Sequence, residues 1–270
     1  MHGNLRWVKL YTKNSPCSSV AAGDRAVLFH CNRRRPRATL ATALHEASAT
    51  RTVDEALARK LRGFGPLGIL TFVVIAALGP VLEPLGTVLV LAWVSASQTS
   101  WREIGFVRPK SWMRTTILGV VFGCALKFVL KVIVMPLLDA DPINGTYQYL
   151  VGNSAAALVM ALYMLVASFN EETVFRGFVF ERLGKLLGPN LPAKITTVLV
   201  SSVWFAAVHY LEQGVAGVEQ AAFTGLTFGT IFAVTRQIWI PMVAHAAYDL
   251  TAIAIIYWNL ESTMAHLVFK

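Results

Sequence analysis

The chain has 270 residues, of which 55% are hydrophobic and only 14% charged, with a formal net charge of +9. A soluble domain carries about 25% charged residues, so this composition excludes a disordered chain, a collagen-like repeat and most soluble enzymes. Three cysteines (Cys17, Cys31, Cys124) without metal-like spacing exclude a disulfide framework or a zinc finger, and the chain reads as an all-α, multi-pass transmembrane bundle.

The charge is uneven. Residues 1–65 hold 12 Lys and Arg against 4 Asp and Glu, whereas residues 66–270 hold 12 against 11. Basic excess often signals nucleic acid. Here it lies in one polar arm beside the first apolar run, where the positive-inside rule places cytoplasmic Lys and Arg. The run Arg33-Arg34-Arg35-Pro36-Arg37 therefore reads as part of a solvated, poorly ordered arm, and no nucleic-acid partner is expected. Richness in Arg, Ser and Thr with few acids also suits an organellar transit peptide. A helical period emerges only from about Val53, in DEALARKLRGFG, which reads as a short amphipathic helix. Residues 1–65 are set apart, without a function, from a transmembrane domain over 66–270.

Apolar runs follow at Pro66–Leu82 and Pro84–Ala96, of 17 and 13 residues, joined at Glu83-Pro84 by a tight hairpin. A span needs ~20 residues, so the pair reads as two tilted helices or one broken one. Thr115–Leu138 is long enough to cross, but Lys127 and Lys131 interrupt it one turn apart and must snorkel or face a wet interior. Ala155–Asn170, Ala193–His209, Ala221–Thr235 and Ile238–Trp258 bring the count to about seven spans. The loop after Ala96 carries Arg102, Arg108, Lys110 and Arg114, whereas the next carries only Asp139 and Asp141. This alternation places the amino terminus and the basic loops in the cytoplasm.

Ionisable residues inside spans are expensive and mark function by default. They gather in Asn170-Glu171-Glu172-Thr173-Val174-Phe175-Arg176-Gly177, in Phe205-Ala206-Ala207-Val208-His209 and in His245-Ala246-Ala247-Tyr248-Asp249. Glu172 and Arg176 share a helix face and can pair, which leaves Glu171, about 100° around, for general acid–base work. On the residues alone, a structural ion pair locking two helices is an equal reading. Phe205 lies one turn before His209. His245 and Asp249 share a face, so the carboxylate can orient the imidazole or join it around a metal. About the turn Gly188-Pro189-Asn190-Leu191-Pro192, Glu171 and His209 sit at matching heights, ~25 Å up an antiparallel hairpin. His245 lies only ~13 Å beyond Arg236 by the same rise, so it matches only if the stretch after Arg176 bends or the last span starts deeper.

In this order the three clusters resemble the CPBP family of intramembrane proteases, the CAAX-protease and bacteriocin-processing (Abi) group. Its signature is Glu-Glu-x-x-x-Arg, then Phe-x-x-x-His, then His-x-x-x-Asn or Asp. The matching strings are EETVFR (171–176), FAAVH (205–209) and HAAYD (245–249), and the resemblance covers about residues 155–255. It implies an intramembrane endopeptidase acting on membrane-associated or precursor proteins, with Glu171 activating water and His209 helping to hold it. His245 and Asp249 would stabilise the oxyanion or complete the site. Glu172 and Arg176 would be the structural pair, with Phe205 in support. Many relatives carry Asn at the last position, an amide able to donate. Asp249 is therefore expected to orient His245 rather than to meet the oxyanion.

No cofactor is required by the pattern. The alternative is zinc held by Glu171, His209 and His245, although no His-Glu-x-x-His motif is present. The expected partners are the lipid bilayer and a peptide or protein substrate entering from the membrane or the cytoplasmic side, and the expected location is a bacterial plasma membrane. The rival reading is a non-catalytic scaffold or immunity-like protein using the same cleft for binding.

Overall fold

Long apolar runs punctuated by a few turn residues dictate helices. The computed structural model describes residues 54–269 and holds helices, with no strand among the described residues. The arm expected to be poorly ordered lies, up to residue 53, outside the described residues. The amphipathic helix expected from Val53 is α1 (Asp54–Arg62). After the bend Gly63-Phe64-Gly65 comes α2 (Pro66–Leu78), with proline in its first turn and its axis at 63° to α1. α3 (Leu85–Ser97) follows the turn that holds Glu83. α4 (Trp112–Leu137) begins where Ser111 Oγ accepts the Arg114 amide, and widens into a π-helical turn at Leu130–Val134. Beyond a 3₁₀ turn at Gly145–Leu150, α5 (Ser154–Leu187) is capped by Asn153 and contains a second π-helical turn, Thr173–Val179. α6 (Leu191–Thr235) is capped by Asn190, whose Oδ1 accepts the Ala193 amide at 2.8 Å. α7 (Trp239–Tyr257) and the short α8 (Glu261–Ala265) end the described chain.

Four of these helices are long and apolar enough to cross a membrane, or five if α1 and α2 are one bent span. The expected seven is thus approximate, for two physical reasons. α2 and α3 have 13 residues each, about 20 Å of helix against a hydrocarbon core of about 30 Å. The expected spans 193–209 and 221–235 both fall within α6, whose 45 residues are interrupted at Gly214 (φ 61°, ψ −151°). Only glycine reaches that backbone conformation without strain. The chain reverses there: a Cβ on Gly225 would meet Ser202 Cα at 3.2 Å, and one on Gly229 would meet Val198 Cγ1 at 3.5 Å. Four residues forward on one half correspond to four residues back on the other, the register of an antiparallel hairpin.

The exterior is apolar. Ile117 and Val121 of α4, Leu158, Val159 and Leu162 of α5 and Val203 of α6 are all more than half exposed, whereas Glu172, Arg176, Arg182 and Lys131 are buried. That inversion of the soluble pattern is what lipid as a solvent selects. Arg182 donates to the Arg62 and Gly63 carbonyls at 2.8 and 3.0 Å, closing the carboxyl end of α1. Lys185 bridges Glu181 and Glu103, each at 2.6 Å, and holds the Glu103 carboxyl of the connecting loop below its ordinary range.

α4 packs most extensively on α7. The contact is close because Gly119 and Gly123, one turn apart, face Val243 and Ala244, a small-residue seam of the kind that joins helices in lipid. A Cβ on Gly123 would overlap the Ala244 carbonyl. Gly123→Ala is expected to destabilise the bundle by about 1–3 kcal/mol, read as a fall of several degrees in Tm in detergent. An unchanged midpoint would contradict this packing.

Candidate active site

The site is built around charges withdrawn from both water and lipid. α5 carries Glu171 and Glu172 just before its π-helical turn, all seven residues of which are buried. Such turns insert an extra residue and gather at functional positions. Glu172 Oε1 forms an ion pair with Arg176 Nη1 at 3.0 Å and accepts from His245 Nδ1 at 2.9 Å. Arg176 in turn donates through Nη2 to the Gly225 carbonyl at 3.2 Å and stacks over Phe205, 4.6 Å from the ring centre. One carboxylate oxygen and one guanidinium thereby tie α5 to both α6 and α7.

The other edge of His245 faces two further acids. Its Nε2 lies 3.6 Å from Glu171 Oε2 and 3.6 Å from Asp249 Oδ2. Asp249 Oδ2 accepts the Ser168 hydroxyl at 2.7 Å. The orienting bond expected from Asp249 is therefore supplied by Glu172 instead, because His245 turns its Nδ1 edge into the core. His209 donates from Nδ1 to the Phe205 carbonyl at 2.8 Å; a carbonyl only accepts, so the neutral ring keeps a bare Nε2. Phe205 is the shared wall, its ring centre 5.0 Å from that of Phe175, 4.6 Å from His209 and 5.9 Å from His245.

Glu171, Phe205, His209, His245 and Asp249 all line one cavity of about 490 Å³, and Glu172 and Arg176 sit behind its wall. The depth of His245 also finds its explanation. Ile238 is packed with Phe180, seven residues inside the end of α5, so the last span starts about 10 Å deeper than the Gly188 turn. Counting inward from there, His245 reaches the level of Glu172.

The zinc alternative would place the ion between Glu171, His209 and His245. No group of three His, Cys, Asp or Glu among the described residues is arranged to hold a metal ion. His245 donates through Nδ1 to Glu172, which leaves its Nε2, 3.6 Å from Glu171 and Asp249, as the edge the zinc alternative would use.

Residues 153–251 match the family model described as Rce1-like, type II CAAX prenyl endopeptidase. This stretch of the chain is similar to that family. The match agrees with the CPBP resemblance of the three motifs and spans all of them. No curated protein and no solved structure matches the chain at a significant level.

Around the matched stretch the structure adds residues the motifs do not contain. Asn170 is buried; its Nδ2 donates to the Gly79 carbonyl at 2.9 Å and its Oδ1 accepts the Thr87 amide at 2.6 Å, pinning the α2–α3 turn beside Glu171. From that turn Glu83 reaches the wall of the cavity that Glu171 and Tyr163 also line. At another part of the wall, Lys131 pairs with Glu261 of α8 at 3.0 Å and also donates to the Pro142 carbonyl. The lysines of α4 thus face the polar interior, one of the two options their spacing allowed. An acid placed one residue before a proline, as Glu83 is, was the available signal for that position. Glu261, far along the chain, left none.

Removing the Glu172 charge strands two cationic partners in the interior. Glu172→Gln is expected to cost about 3–5 kcal/mol of stability, seen as a marked loss of Tm in detergent. Equal stability of variant and parent would dissolve the structural role given to this pair.

Proposed function

We propose that the chain is an intramembrane endopeptidase of CAAX type in which Glu171 activates water. The observation that carries this reading is the convergence of Glu171, His209 and His245, from three helical segments, on one cavity. Glu171 accepts a proton from water as the water oxygen attacks the peptide carbonyl carbon. The bare Nε2 of His209 holds the same water through its second proton. Acceptors lie at both nitrogens of His245, an arrangement met by the imidazolium, which donates at both. Its Nε2–H is then available to the oxyanion as the carbonyl electron pair moves onto oxygen. Collapse of the adduct breaks the C–N bond, and the departing amine takes the proton from Glu171, leaving an acid and an amine.

Glu172 is the positioning residue that keeps His245 turned toward the cavity. Asp249, held by Ser168, faces the same ring edge. The substrate is a membrane-associated or precursor peptide reaching the cavity from the bilayer or the cytoplasmic side. The charge alternation of the loops supports a cytoplasmic amino terminus, and the membrane is read as a bacterial plasma membrane.

Purified protein in detergent, offered a peptide library, is expected to cleave. Glu171→Gln should lower kcat/KM at least about a hundredfold while leaving Tm nearly unchanged. Zinc content by elemental analysis, before and after His209→Ala, reads out the metal alternative independently of activity. Cleavage that survives in Glu171→Gln would overturn the assignment of the base, and partner binding without any cleavage would favour a scaffold.

A further inference from the structure

Away from the Glu171–His245 group, the same cavity holds a cation that the chemistry above does not use. Lys127 of α4 is buried, lines the cavity and has no carboxylate within ion-pair distance among the described residues. Its neighbour Lys131 is neutralised by Glu261. Lys127 Nζ donates to Gln220 Oε1 at 2.9 Å and lies 4.7 Å from the centre of the Tyr248 ring. The Tyr248 hydroxyl donates to the same Gln220 oxygen at 3.1 Å. An ammonium group only donates, so these bonds fix which end of the amide is oxygen. The Nε2 group of Gln220 is left without a bond among the described residues, on a side chain that lines the cavity.

Two donors, one of them charged, with no anion assigned to them form an acceptor-seeking pair. A buried ammonium is expensive until an anion meets it, and a hydrogen bond to a charged group is the strong kind. The remaining acids nearby are already engaged: Asp249 accepts from Ser168, and Glu261 accepts from Lys131 and Gln148. Tyr248 lies three residues from His245 on α7, so the pair is about one helical turn from the reacting groups. An extended peptide advances about 3.3–3.6 Å per residue, and so spans that separation within a few residues.

We propose that Lys127 and Gln220 form a subsite that binds a carboxylate of the peptide substrate. This deepens the endopeptidase reading and rests on it. The carboxylate has two sources, the carboxyl terminus of the peptide and an acidic side chain, and the chemistry that recognises them is shared.

The test measures binding, so it does not depend on turnover. The full chain carrying Glu171→Gln, in detergent, is titrated with three fluorescein-labelled apolar tetrapeptides. One ends in a free carboxylate, one is its carboxamide, and one is the carboxamide with an internal Glu. At least one carboxylate form is expected to bind about tenfold more tightly than the neutral carboxamide, and which form does so identifies the source. Adding Lys127→Gln should collapse that ratio to near one, and Lys127→Arg should preserve it. A purely structural Lys127 would instead weaken all three peptides alike. Equal affinities for the three, no binding of the carboxylate forms, or a preference that survives Lys127→Gln overturns the subsite. Failure of the parent protein to cleave any peptide overturns the endopeptidase reading instead.

Discussion

A single carboxylate oxygen, Glu172 Oε1, shared between the Arg176 guanidinium and the His245 imidazole, is the contact on which the cavity wall depends. In a low-dielectric interior a lone glutamate would take up a proton, and a lone arginine has no such escape. Each is tolerable because the other is 3.0 Å away and because Arg176 Nη2 reaches a fixed carbonyl. The Gly225 carbonyl and the Phe205 face complete the surroundings of Arg176. Since these groups come from α5, α6 and α7, sliding any helix by one turn would leave a charge unpaired. The network therefore sets register as well as proximity.

That constraint explains why two adjacent glutamates have different surroundings. Successive residues on a helix point about 100° apart. With Glu172 turned into the core by its partners, Glu171 has to face the cavity. The π-helical turn that follows keeps all seven of its residues buried, Arg176 among them. Glu171 is free for chemistry because its neighbour is not.

What could be read in the sequence divides along the distance between partners. The Glu172–Arg176 pair, the stacking of Phe205 on His209 and the hairpin about Gly188 are local, set by spacing on one helix or across one turn, and all three are found. His245 faces Asp249, four residues away, through Nε2, but its hydrogen bond goes to Glu172, which lies 73 residues away and leaves no trace in spacing. Gln220 and Glu261 leave no signal for the same reason. Hydropathy located the apolar runs, but it did not show that Gly214 joins two of them into one hairpin or that α5 continues past Asn170 to Leu187. The charges there lower the hydropathy of the run, but they turn inward.

Lipid offers helices almost no hydrophobic reason to associate, so close-packed small residues and polar contacts must hold them. In this bundle both kinds of glue sit at the interfaces that enclose the cavity. Gly119 and Gly123 bring α4 against α7, which sets Lys127 over Tyr248. Gly225 brings the second half of α6 against the first, which puts its carbonyl within reach of Arg176. The residues that make the cavity polar are thus held by the seams that make the bundle compact. A substitution behind the wall, at Glu172 or Arg176, must disturb fold and cavity together. One on the cavity face, at Glu171 or His209, removes a group whose side chain carries little of the packing. The two classes separate in a single comparison of stability with turnover, and that separation follows from where the side chains point on α5 and α6.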